Sequence, residues 1–185
     1  MSHDASAAYP AHLADLRLRE DQLRLGLWMF LATVTMLFAA FVSAYIVRRS
    51  SLDWRHVALP PILWLNTAVL GASSGALELA GAQGRRRRWR TSFAASLVAL
   101  MLGFGFLGGQ ATAWRQMVAS GAYLSSSPHS SFFYVLTGAH ALHVLAALAV
   151  LSWGATLTWA GARDPRGWMV RMEICRTFWH YLGVV

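Results

Sequence analysis

Five long apolar blocks divide this chain, and each is close to the length that a helix needs to cross a lipid bilayer. The blocks cover about residues 25–47, 59–82, 92–114, 131–159 and 168–185. A hydrocarbon core about 30 Å thick requires about 20 apolar residues in a helix. Apolar residues make up 56% of the 185 residues and charged residues only 13%. The sequence therefore predicts an all-α polytopic membrane bundle with five transmembrane helices, the last of them cut short by the chain end at Val185.

The arginines predict how this bundle is oriented. Residues 1–24 are polar and charged, lack the apolar core of a signal peptide, and are expected to form an interfacial or loosely ordered tail. All 16 basic residues are Arg. Ten of them fall on the side of the tail and of the second and fourth connections, and four fall on the other side. The positive-inside rule then predicts a cytoplasmic N-terminus. The net charge of +8 reflects this topology, so no nucleic-acid partner is expected.

Two local patterns have plain structural interpretations. Residues 103–108 read GFGFLG and match the dinucleotide motif GxGxxG. That motif needs a preceding strand, whereas these glycines lie within the third apolar block, where small residues let helices approach closely. Cys175 is the single cysteine, and we expect it to be a buried, inert thiol.

Glu78 lies about one turn before the second block ends. We expect an interfacial carboxylate near Arg85 or Arg86, with a buried proton relay as the alternative.

Three histidines lie deep in the predicted bilayer. His140 and His143 are one helical turn apart in the fourth block, and His180 lies in the fifth. At 1.5 Å per residue, His140 and His180 lie about 13 Å and 18 Å from opposite faces, which places them at similar depth. Histidines at one depth on two helices could ligate a haem axially, or they could be structural residues hydrogen-bonded to each other or to the backbone. No HExxH motif, paired carboxylates or Ser/His/Asp set supports hydrolysis.

The order of motifs resembles subunit III of the haem–copper respiratory oxidases. Five segments carry the resemblance in sequence order: RLGLWMFLA at 24–32, LNT at 65–67, GFGFLGGQ at 103–110, SFFYVLTGAHALHV at 131–144 and FWHYLGVV at 178–185. They span nearly the whole chain, and the bacterial members of the family include five-helix forms. The family motifs fall on Asn66, Gln110, Thr137, Gly138, His140, His143, Trp179 and His180.

This resemblance implies an accessory subunit of a terminal oxidase that reduces oxygen to water in a bacterial plasma membrane. Such a subunit carries no haem or copper, packs against the subunit I that does, associates with subunit II, and holds phospholipid. On this interpretation the three histidines close a buried polar contact between the last two helices. Lipid or interface contacts are expected from Arg24, Trp28, Trp64 and Arg176.

The chain also departs from the family at three acidic positions. Val34, Ala113 and Gly183 stand where the family often has a carboxylate. The resemblance therefore favours a stabilising role over proton handling. Two alternatives stay open: a stand-alone b-type cytochrome with two axial histidines, and a subunit III homologue associated with nitric-oxide reductase. The electron donor, cytochrome c or quinol, is not encoded in this chain.

Overall fold

A computed structural model describes residues 4–51, 54, 60–160 and 165–184, with the side chains of 4–17 and 157–160 left undescribed. These residues form five α-helices and no strand. The helices are α1 (Asp4–Arg48), α2 (Ile62–Arg85), α3 (Trp89–Ala119), α4 (Pro128–Ala160) and α5 (Pro165–Val184). The all-α helical bundle that the apolar blocks predicted is confirmed.

Four of these helices are long and apolar enough to cross a membrane. The segments that meet this requirement are Leu18–Arg48, Ile62–Arg85, Trp89–Ala119 and Pro128–Thr156. The fifth, α5, is helical as predicted but carries four charged residues. Three of them form ion pairs with α1 or α2: Arg166 with Glu20, Glu173 with Arg24, and Arg176 with Glu78. Pairing within the bundle lowers the cost of placing such charges among apolar helices.

Helices that follow one another in the chain run in alternating directions. Ser92 of α3 donates to the Ala80 carbonyl of α2, and Ser73 of α2 donates to the Ala99 carbonyl of α3, so α2 and α3 are antiparallel. The Arg166–Glu20 and Tyr181–Thr35 pairs show that α5 instead runs parallel to α1. This alternation is the pattern that successive membrane crossings require.

A single narrow seam attaches α1 to the rest of the bundle. Its contacting residues recur at intervals of three, four or seven positions: Glu20, Arg24, Leu27, Leu31, Val34, Phe38 and Tyr45. This spacing is the heptad repeat of a helix that packs along one stripe. The polar members lie at the end that pairs with α5, and the aromatic members lie at the other end. Large apolar side chains such as Met36 (75% exposed) cover the remaining faces of α1.

The helix α5 lies at the centre of the packing, because it contacts α1, α2 and α4. Its Trp179 is 2% exposed and packs on α3 at Gly103, where an added Cβ would lie 2.8 Å from the indole ring. Of the three glycines in the 103–108 motif, Gly103 has the predicted packing role, whereas an added Cβ at Gly105 or Gly108 would meet no atom within 4 Å. Cys175 is also buried, as expected, against α4.

The structure shows helix in the segment that was expected to be an interfacial or loosely ordered tail. Backbone helix begins at Asp4, so 21 of the 24 tail residues belong to α1. Ala, Leu and Arg account for 12 of these 21 residues, and all three have high helix propensity. The polarity of this segment carried no information on whether the helix continues into it.

Candidate functional site

An ion-pair cluster joins α2 to α5 within the bundle. Glu78 accepts hydrogen bonds from both Nε and a terminal nitrogen of Arg176, the Nε contact being 2.9 Å. The other hydrogen bond connects Nε2 of His180 to Oε1 of the same carboxylate at 2.7 Å. The side chains of Arg176, His180 and Glu78 are 23%, 40% and 43% exposed. One carboxylate therefore holds two basic groups of α5 against α2.

Local helix geometry explains this convergence. Arg176 and His180 are four residues apart, so they lie on the same face of α5. Glu78 projects from α2 toward that face, and Gly81 lies one turn further along α2, where an added Cβ would be 3.1 Å from Cδ of Arg176. The small residue at 81 thus gives the arginine stem room to reach the carboxylate.

This cluster overturns two expectations. Glu78 does not pair with Arg85 or Arg86 but with Arg176 and His180. Likewise, His180 does not close a polar contact with His140 and His143. The estimate of depth from each face carried no information about the direction in which a side chain projects. The i, i+4 spacing on α5, opposite a lone carboxylate in α2, was the signal that could have identified the cluster.

The other two histidines pack among aromatic rings. Nδ1 of His143 contacts the Ala139 carbonyl of its own helix at 2.7 Å, and its ring lies 5.8 Å from that of Phe38. His140 makes edge contacts with Phe38 and Phe106 at centroid distances of 6.4 Å and 5.8 Å. Because Nε2 of His180 faces a carboxylate, its hydrogen bond competes with axial ligation of a haem.

Several motif residues meet around a second polar region, which lies at the C-terminal end of α5. Gln110, Thr137 and His140 line a cavity of about 310 Å³ that Gly183 also borders. Asn66 lies beside this region, packed so closely on Gly109 that an added Cβ would be 1.9 Å from its Oδ1. Thr137 accepts a hydrogen bond from the Trp114 indole at 3.0 Å. Gly138 borders a separate groove between α3 and α4.

The residues expected at lipid or interface contacts divide into two groups. Arg24 and Arg176 form ion pairs inside the chain, with Glu173 and Glu78 respectively. Trp28 and Trp64 are instead 64% and 83% exposed. Exposed tryptophans on spanning helices are typical of contacts with lipid or with another membrane protein.

The positions where the resemblance leads one to expect carboxylates are occupied in two cases by buried apolar side chains. Val34 is 2% exposed and Ala113 is fully buried. At Gly183, the nearest neighbour of an added Cβ would be a Leu70 methyl at 3.9 Å. Among the described residues, no three His, Cys, Asp or Glu side chains lie together in a group that could hold a metal ion.

Comparison with known proteins finds one matching family, together with relatives whose names agree with that family. Residues 15–185 match the family described as cytochrome c oxidase subunit III. A Pseudomonas aeruginosa protein named cytochrome bo(3) ubiquinol oxidase subunit 3 is 28% identical over 170 residues, covering 86% of this chain and 78% of that protein. A Nocardia farcinica protein named probable cytochrome c oxidase subunit 3 is 26% identical over 178 residues, covering 90% and 84%.

A third relative has a different organisation. An Aeropyrum pernix protein named heme-copper oxidase subunit I+III is 25% identical over 146 residues, covering 74% of this chain but only 18% of that protein. The family match extends over nearly all of the described bundle, from α1 through α5. The chain thus belongs to the cytochrome c oxidase subunit III family.

Proposed function

We propose that this chain is the accessory subunit III of a bacterial haem–copper terminal oxidase and contributes no redox group of its own. The enzyme would reduce oxygen to water and couple this reaction to proton translocation. The observation that carries the proposal is the family match over residues 15–185. The Pseudomonas relative is named as a ubiquinol oxidase subunit and the Nocardia relative as a probable cytochrome c oxidase subunit. The family is therefore compatible with either electron donor, quinol or cytochrome c.

The partner that we propose is subunit I, which would carry the haem and copper, with subunit II in the same complex. The Aeropyrum relative supports this pairing because its name combines subunits I and III in one chain. The apolar outer faces of α1 support it as well. Met29 and Met36 are 65% and 75% exposed, and in the assembled complex these faces would contact subunit I or lipid.

Within the complex, the chain would act by stabilising subunit I and holding phospholipid. The Glu78 cluster supports a stabilising role, because it fixes α5 against α2 through charge-assisted hydrogen bonds, which are stronger than neutral ones. Buried Val34 and Ala113 offer no group that could carry a proton. We place the chain in the plasma membrane with its N-terminus in the cytoplasm, which agrees with the ten-to-four division of the arginines.

The test is to purify the tagged chain from its native membrane in mild detergent and to identify the co-purifying proteins by mass spectrometry. Recovery of a haem–copper subunit I is the expected result, and the subunit II recovered with it would identify the electron donor. A tagged multi-pass protein of unrelated function serves as the control. If the chain is recovered alone with stoichiometric haem, it is a b-type cytochrome. Recovery with nitric-oxide reductase would support the third interpretation.

A further inference from the structure

The connection between α2 and α3 concentrates positive charge on a short, ordered turn. Arg85, Arg86, Arg87, Arg88 and Arg90 are all exposed. The Arg87 amide donates to the Gly84 carbonyl and the Arg88 amide to the Gln83 carbonyl, at 2.9 Å and 3.0 Å. Arg87 has a φ of 56°, a left-handed conformation that turns the chain tightly. Among the described residues, no carboxylate forms an ion pair with any of these five arginines.

An aromatic contact anchors this turn to the start of α5. The ring of Trp89 meets that of Trp168 edge-on at a centroid distance of 5.3 Å. Trp168 in turn lies directly over Gly84, the residue before the arginine run. The turn therefore presents its arginines from a fixed base, which lowers the entropic cost of binding an anion.

A groove between α2 and α5 opens beside the same turn. It has a volume of about 300 Å³, and its walls include Gly81, Trp168, Met169 and Met172, with Arg85 also lining it. Arg176 and Glu173 line it as well, but each is already paired, with Glu78 and Arg24 respectively. Within the described residues, Arg85 is thus the cation of this groove that no carboxylate neutralises.

We propose that the arginine turn and this groove together form a binding site for an anionic phospholipid. The phosphate would contact the arginines at the helix ends, and the start of an acyl chain would lie against Met169, which is 46% exposed. Basic pockets between helices at this level of a membrane bind anionic headgroups. An acidic peptide segment would satisfy the arginines but would leave the apolar groove unfilled, so the lipid fits both halves of the site. The inference rests on the lipid-holding part of the proposed function. It adds where the phospholipid binds and that its headgroup is anionic.

The test measures lipid retention by native mass spectrometry on the full chain purified with its complex. Samples are exchanged into micelles that contain equal amounts of phosphatidylglycerol and phosphatidylcholine with identical acyl chains. The test variant is R85Q/R86Q. The matched control is R49Q/R115Q, which removes two exposed arginines far from the turn: Arg49 directly follows α1, and Arg115 lies in the C-terminal part of α3. Circular dichroism checks that each variant is folded.

The wild-type chain and the control are expected to retain phosphatidylglycerol in preference to phosphatidylcholine. Because each basic residue near an anionic surface contributes about a fivefold factor, R85Q/R86Q should lose about 25-fold of that preference. Equal retention by R85Q/R86Q and the wild type would overturn the proposal, as would an equal loss in the control. Displacement of the lipid by millimolar inorganic phosphate would show that the turn binds free phosphate instead.

Two further outcomes separate this site from the function of the chain. If subunit I co-purifies but no phosphatidylglycerol is retained, the lipid site is wrong and the accessory role stands. Crosslinking of the turn to an acidic segment of subunit I would then identify the partner of the arginines. If lipid is retained but no subunit I is recovered, the site stands and the accessory role is wrong.

Discussion

A methyl group at position 84 would test how tightly α5 is held against α2. An ideal Cβ on Gly84 would lie 1.8 Å from Cη2 of the Trp168 ring, and ordinary contact begins at 3.4 Å. The ring would have to withdraw by about 1.6 Å, which follows from those two distances. Trp168 is only 2% exposed and is packed against Trp89, so this movement must displace the start of α5 or the α2–α3 turn.

The expected magnitude comes from two opposing terms. Overpacking a tight contact costs about 1–3 kcal/mol or somewhat more, whereas replacing Gly by Ala inside a helix contributes up to about 1 kcal/mol of stability. Gly75 is the matched control, because it lies in the same helix and an added Cβ there meets no atom within 4 Å. We expect Gly84→Ala to lower the free energy of unfolding by about 2 kcal/mol and Gly75→Ala to leave it unchanged or raised.

The assay is reversible unfolding of the full chain in mixed micelles, with SDS as denaturant and far-ultraviolet circular dichroism as the signal. A Trp168→Leu background should remove much of the cost of Gly84→Ala, because the smaller side chain frees the space that the methyl group needs. The reasoning is refuted if Gly84→Ala is as stable as Gly75→Ala. It is also refuted if the loss is the same with and without the Trp168 ring.

Three further predictions concern polar contacts. Glu78→Gln should cost about 2 kcal/mol in the same unfolding assay, between the values for exposed and buried pairs, since Arg176 loses its charged partner. No change would mean that the cluster does not form in the membrane. The Arg24–Glu173 pair, whose side chains are 51% and 57% exposed, should show a coupling below about 1 kcal/mol in a double-mutant cycle, and a coupling of several kcal/mol would contradict its exposed geometry. His143→Ala should weaken retention of subunit I without changing the haem spectrum of the complex, and loss of haem absorbance would support a ligand role.

The sequence predicted the helices far better than it predicted their contacts. The ends of the predicted spans lie within five residues of the observed helix ends, except that α1 begins 21 residues before the first predicted span. Helix-forming residues in a spanning segment must satisfy their backbone hydrogen bonds internally, so apolar length alone determines this much. The separate expectation that the small residues of 103–108 permit close helix packing is met at Gly103, but not at Gly105 or Gly108 within this chain.

Partners across helices could not be derived in the same way. Glu78 and Arg176 are 98 residues apart in sequence, and their contact depends on the rotation of two helices about their axes. Apolar periodicity is a weak guide to that rotation in a bilayer, because lipid-facing and buried positions are both apolar. The neighbours predicted for the histidines were consequently wrong.

The seam along α1 has a consequence for how the protein is made. Its charged members, Glu20 and Arg24, find their partners at Arg166 and Glu173, which lie 146 and 149 residues later in the chain. At bacterial rates of synthesis that interval is on the order of 10 s. Before α5 is synthesised, α1 can make only its contacts with α4, such as those of Phe38 and Tyr45, and its charged end depends on lipid or on another subunit. The seam is thus completed only when α5 supplies the partners of Glu20 and Arg24.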